Sequence, residues 1–418
     1  MENDPLRLLA QAIPVEQRRR LEAEVDAEIQ AAIQFAESSP FPDAAELYTD
    51  VFKEPEPELA EFTGTRPSAP PPDRILSYVE AVREAADQEM ERDPAVLQFG
   101  LDVDDPKAIQ GTTKGLLAKF GPERVFGTPL SEDAMTGAAI GMALAGLRPV
   151  HVHIRMDFLM LAMNQLINVA AKSRYMYGGQ VAVPLVVRSM IGKSWGQGAQ
   201  HSQGLYSFFM NVPGLKVVAP TTPYDAKGCL IAAIRDNNLV MFVEHRLLHF
   251  QKGPVPAANY RVPPGKARIT APGKDITLVG ISYMQVECLR ARSYLEQMKV
   301  AAEVIDPIWL MPLDIDTIVE SVRKTGRLCV VDNGWTTCGA AAEIICQVVE
   351  RLQGERSVQV QRLGFAPVTC PPSPILEDAY YPNGRTIAAT AYAMVSGNHH
   401  WMPAERPDLR DIEFKGPF

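Results

Sequence analysis

The sequence predicts an α/β protein of two three-layer α/β/α domains preceded by a helical extension. Three observations carry this. From Ile75 onward, apolar runs of strand length alternate with segments of helix length, the pattern of parallel strands joined by crossover helices. The alternation occurs twice, once on each side of the proline-rich text PVPAANYRVPPG. The chain of 418 residues is also long enough for two or three domains at roughly 150 residues each.

Residues 15 to 37 place Leu21, Val25, Ile29, Ile33 and Ala36 at spacings of three and four, which predicts an amphipathic helix with a narrow apolar stripe. The text KEPEPELAEFTGTRPSAPPPDR is too rich in prolines and acids to bury a core, so residues 54–73 are predicted as a linker and 1–53 as a separate helical extension. In the first α/β unit, 74–261, SYVEAVREAADQEMERD, GAAIGMALAGL and QLINVAAKSRYMY read as helices, and PVHVHI, VPLVVRSM and LKVVAP as strands. Thr222-Pro223-Tyr224-Asp225 has the form of a capping box with proline at the first helical position, opening the helix DAKGCLIAAIRD before the strand LVMFVEH. In the second unit, 262–399, the strands DITLVGIS, AAEVIDP and RLCVVDN alternate with the helices QVECLRARSYLEQM, DTIVESVRKT and CGAAAEIICQVVERL. Residues 400–418 read as a loose tail.

Composition narrows the function classes. Lys plus Arg (41) against Asp plus Glu (50) gives a net charge of −9, which argues against a phosphate-tracking nucleic-acid binder or a basic membrane-surface protein. The longest nearly uncharged run, Gly137 to Leu147, is about half of the ~20 residues a membrane helix needs. The N-terminal text MENDPLRLLAQ has no signal-peptide pattern, and a cytoplasmic protein is expected. The six cysteines show no C-x-x-C pair and read as buried, reduced thiols.

Three residues could carry chemistry. Glu132 follows Ser131 at a helix start, where an acid is by itself an ordinary partner of the helix dipole. His201 lies in the glycine- and glutamine-rich loop GQGAQHSQG, where backbone can approach a ligand closely. Phe158, in MDFLMLAMNQ, reads by composition as a core residue. Singly, each has a structural explanation.

Their surroundings add more. TPLSEDAMTGAAIGMALAGLRPV, MDFLMLAMNQLINVAAKSRYMYGGQVAVPLVVR, GAQHSQ, PGLKVVAPTTPYDAKGCLIAAIRDNN and KTGRLCVVDNGW closely resemble the beta subunits of the thiamine-diphosphate-dependent 2-oxo acid dehydrogenases of the pyruvate, branched-chain and acetoin type, over roughly residues 74–395. The resemblance implies a transketolase-like pyrimidine-binding domain followed by a transketolase C-terminal domain. It implies that Glu132 hydrogen-bonds the cofactor's aminopyrimidine nitrogen, that Phe158 packs on that ring, and that His201 assists proton handling during acyl transfer to a lipoyl group. Asp236 and Asn238 match an Asp-x-Asn pair that often holds a structural potassium ion in the family, although Asp and Asn in a turn are also routine turn chemistry.

The sequence departs from the family in two loops. GLDV and DDPKAIQ stand where G-E-D-V and a glycine-rich loop are usual, so Leu101 replaces an acid, and MIGKSWGQ precedes His201 in place of glycine-dominated text. A Gly-Asp-Gly segment with its later Asn, which would hold the diphosphate through Mg2+, is not found. In the family that motif belongs to the alpha subunit. The resemblance therefore implies a heterotetramer with an alpha-type partner, a site shared between the chains, a small 2-oxo acid substrate and an association with a lipoyl acyltransferase. EQRRRLEAEVDAEIQAAIQFAESSPFPDAAELYTDVF itself resembles an alpha-subunit tail. Two other functions fit the same scaffold: a transketolase-like carbon-carbon transferase or synthase subunit, and a non-catalytic assembly or regulatory subunit.

Overall fold

The computed structural model describes residues 4–54, 74–105, 108–193 and 196–406. Most of the predicted 54–73 linker lies outside the described residues, as does the tail beyond residue 406. Two compact units result, one ending at Thr49 and the other running from Asp50.

In the first unit, the Asp4 side chain accepts from Leu6 N (2.9 Å) and caps the helix Pro5–Ala12, with proline in its first turn. The predicted amphipathic helix forms over Val15–Ser38. Its stripe residues Leu21, Val25, Ile29 and Ile33 remain exposed.

The second unit contains two large sheets. The strands are β1 Ile75–Ser77, β2 Val96–Gly100, β3 Val125–Gly127, β4 Arg148–His153, β5 Val186–Ile191, β6 Leu215–Val218, β7 Leu239–His245, β8 Lys252–Pro254, β9 Arg268–Ala271, β10 Ile276–Gly280, β11 Ala302–Asp306, β12 Trp309–Met311, β13 Arg327–Trp335 and β14 Gln359–Phe365. The larger sheet has the order β12-β6-β7-β5-β4-β2-β3, and the smaller β14-β13-β10-β11-β9. Pairing is parallel except at one edge of each sheet, where β12 and β9 run antiparallel to their neighbours. The central strands β4, β5 and β7 are buried along nearly their whole length because both faces are covered.

The predicted helices and strands are all present, with local differences. The helix expected over QLINVAAKSRYMY begins as a π-helical segment, Asn164–Ala170, before Ala171–Met176 continues as α-helix. The Thr222 side chain caps Pro223–Arg235 by accepting from Asp225 N (3.1 Å) and donates its hydroxyl to Asp225 Oδ2 (2.5 Å); that carboxylate also forms a bidentate pair with Arg268, and a full capping box is not made. The strands β1, β2, β3, β8, β9, β12 and β14 and the helices Pro374–Tyr380 and Gly384–Ser396 lie outside the expected elements.

The sheets do not divide at residue 262. β12 lies beyond that point, yet it completes the edge of the first sheet beside β6, with Ala219 N donating to Ile308 O (2.8 Å). The two halves are also joined at Tyr206, whose hydroxyl donates to Asp332 and accepts from Asn333 N (3.1 Å). Gly204 permits this approach, since a Cβ there would stand 1.7 Å from the Asn333 carbonyl oxygen.

Residues 401–406 are held by the body of the unit. Trp401 packs on Tyr392, Arg385 Nε donates to Pro403 O (3.0 Å), and Arg406 N donates to Tyr294 Oη (3.3 Å). Four cysteines are buried as expected, but Cys338 and Cys346 are exposed. No helix of the described residues is long and apolar enough to cross a membrane.

Candidate active site

A cavity of about 470 Å³ opens at the carboxyl ends of β2, β3, β4 and β5, where parallel sheets collect their binding residues. Glu132, Phe158 and His201 all line it. Leu101 lines it too, so the departure from the family's acid falls inside the site.

Each of the three is delivered by a different device. Glu132 is the first residue of the helix Glu132–Leu144, which is anchored when Met135 N donates to Ser131 O (2.9 Å). Its carboxylate forms no hydrogen bond or ion pair among the described residues. Phe158 sits in the short helix Met156–Leu159 after β4 and, far from being core, is 38% exposed with its ring on the cavity. His201 meets it edge to face, with ring centroids 5.2 Å apart. The loop carrying His201 is fixed by Gln203, whose backbone N (3.2 Å) and Nε2 (2.8 Å) both donate to Asp157 Oδ1. Burial raises the Asp157 pKa, against the lowering effect of these bonds.

Sequence reasoning missed His151, His153 and Arg155, which share the lining. His151 and His153 are nearly fully buried and stand 4.3 Å apart, ring to ring, with His151 stacked on Phe99 and His153 Nε2 3.2 Å from Thr136 Oγ1. Burial pushes the His151 pKa down to about 4 and lowers that of His153, so both rings are neutral at pH 7. The signal was available: in PVHVHIR, polar residues recur every second position at the end of an apolar strand, so they point together to one face.

Asp236 and Asn238 lie elsewhere and are already engaged. Lys216 Nζ donates to Asp236 Oδ2 (2.6 Å), and Asn238 N (2.9 Å) and Nδ2 (2.7 Å) donate to Asp236 Oδ1. Asn238 Oδ1 accepts from Lys53 N (2.7 Å), and its Nδ2 donates to Lys53 O (3.0 Å). The pair acts as a clip for the backbone at Lys53. Asp332 of VVDNGW is similarly engaged, by Tyr206 and by Ala341 N (3.0 Å). Among the described residues, no group of three His, Cys, Asp or Glu is placed to hold a metal.

Comparison with known proteins agrees with this geometry. The chain matches the transketolase pyrimidine-binding domain over residues 75–251 and the transketolase C-terminal domain over 265–387. It is 43% identical over 337 residues to the acetoin:2,6-dichlorophenolindophenol oxidoreductase subunit beta of Cupriavidus necator, covering 78% of this chain and 99% of that one. It is also 43% identical over 300 residues to the pyruvate dehydrogenase E1 component subunit beta of Porphyra purpurea, covering 72% of this chain and 91% of the relative. A split-gene transketolase, described as an inactive beta4 tetramer, shares the fold with a TM-score of 0.60 at 21% identity, covering 77% of this chain and 98% of that one. With both domain matches in order and identity of this level across nearly the whole length of such a relative, the chain belongs to the beta-subunit family of the thiamine-diphosphate-dependent 2-oxo acid dehydrogenases.

Proposed function

We propose that this chain is the beta half of an enzyme that oxidatively decarboxylates a 2-oxo acid and passes the acyl group to lipoamide, with its active site completed by an alpha-type subunit in a heterotetramer. The carrying observation is the cavity that gathers a carboxylate without a partner among the described residues, an open aromatic face and a histidine at the ends of four parallel strands.

These residues suit the aminopyrimidine half of thiamine diphosphate, which when bound supplies an electron sink for loss of carbon dioxide. With that ring bound, the Glu132 carboxylate would hold a proton at a ring nitrogen and so favour one tautomer. Phe158 provides the flat apolar face against which a heterocycle rests, and shields it from water. His201, held against Phe158 by the Gln203–Asp157 bonds, can exchange a proton with the donor or the acyl acceptor.

The diphosphate and its Mg2+ are assigned to the partner, in keeping with the lack of a Gly-Asp-Gly segment in the sequence and with Asp332 being committed to other bonds. Association with a lipoyl acyltransferase belongs to the same reading. So does a cytoplasmic setting, supported by six unpaired thiols. The exposed stripe of Val15–Ser38 suits a helix that docks as an alpha-subunit tail would.

Reconstitution with an alpha-type subunit tests this. Glu132→Gln should reduce decarboxylation about 10²- to 10⁴-fold. Unchanged turnover would favour a non-catalytic subunit, and transfer to an aldehyde acceptor in place of lipoamide would favour a transketolase-type reaction.

A further inference from the structure

Arg155 is 9% exposed and lines the cavity, and its guanidinium makes no hydrogen bond or ion pair among the described residues. A guanidinium cannot shed its charge, so burying it without an anion is costly. The charge of the adjacent Asp157 acts on Arg155, but that carboxylate makes no direct bond to it and its Oδ1 is held by both Gln203 donors. Nor do the neighbouring histidines compete, because burial leaves His151 and His153 neutral. Arg155 is the one Lys or Arg among the described residues of the lining, which Phe158 and His201 share. Its surroundings exclude much of the solvent that would otherwise screen it.

We propose that Arg155 is a specificity residue that binds the carboxylate of an anionic 2-oxo acid donor, so that the site selects a charged 2-oxo acid over a neutral acyloin. This rests on the dehydrogenase reading and narrows it. A guanidinium presents paired donors that match a carboxylate, whereas an uncharged hydroxyketone leaves them unsatisfied in a dry site.

The test uses the reconstituted complex of this chain with an alpha-type subunit, as wild type, Arg155→Gln and Arg155→Lys. Pyruvate and acetoin serve as donors with a dye acceptor, and kcat and KM are measured separately. A charge-assisted bond of this kind corresponds to about 10- to 100-fold in affinity. Arg155→Gln should therefore lower the pyruvate-to-acetoin ratio of kcat/KM about 10- to 100-fold, mainly through the KM for pyruvate, and Arg155→Lys should recover part of it. A binding readout accompanies this: calorimetric titration with lactate and with its uncharged amide should show a wild-type preference for lactate that Arg155→Gln abolishes. An equal loss for both donors, or an unchanged ratio, overturns the assignment while leaving the dehydrogenase reading intact. A wild-type complex that turns over neither donor, nor branched-chain 2-oxo acids run beside them, overturns the parent reading, and this inference with it.

Discussion

Glu244 and Arg188 form a bidentate pair (2.8 and 3.0 Å) with no exposed surface, and His249 Nε2 stands 3.4 Å from the same carboxylate. Burial opposes ionisation of Glu244, but the Arg188 charge and the hydrogen bonds outweigh it and hold the pKa down to about 2. A carboxylate depressed on folding adds stability that is complete above its unfolded pKa, about 4.3. That stability is lost as pH falls from there toward 2. The midpoint of urea unfolding should therefore drop across this acid window. Glu244→Gln should flatten that dependence and cost about 3–5 kcal/mol at pH 7 by leaving Arg188 buried without its counter-charge; a variant as stable as wild type would refute it. Residues differ in how legible they were. Glu132, Phe158 and His201 could be named because distinctive text surrounds them. His151 and His153 lie in β4 and Arg155 two residues beyond its end, and their period-two polarity is visible as a site only once that strand is known to end in a cavity.

Most elements were legible, because helices of ten residues or more and fully buried strands leave strong periodic or continuous apolar signals. β3 and β12, with three residues each, are too short to show a period, and their existence depends on a neighbouring edge. β14 is mostly exposed and reads as surface, although it pairs in parallel with β13. In the turn after Pro223–Arg235 side chains fasten backbone: Asn238 grips both polar groups of Lys53, while Phe52 lies under the Lys216 ammonium. Asn238→Ala should thus speed amide hydrogen exchange in residues 50–53, with a loss of global stability on the order of 1 kcal/mol. Unaltered exchange in that segment would show that the clip does not hold it.

At the scale of the whole molecule, the site was legible as half a site. The sequence contains the residues for a heterocycle but no Gly-Asp-Gly segment for a diphosphate. Purified alone, the chain should not bind thiamine diphosphate tightly with Mg2+, and equilibrium dialysis should show tight binding only after an alpha-type subunit is added. Tight binding by this chain alone would refute the shared site. The placement of Trp309–Met311 at the rim of the first sheet carries a different consequence. A chain cut back to residues 74–261 would leave β6 with a bare row of amides and carbonyls, the feature that seeds self-association between sheets. Such a fragment should oligomerise in light scattering, where the full chain does not form the same aggregates. The two halves are therefore not interchangeable modules, and any recombination that swaps one of them must carry this three-residue loan back to its lender.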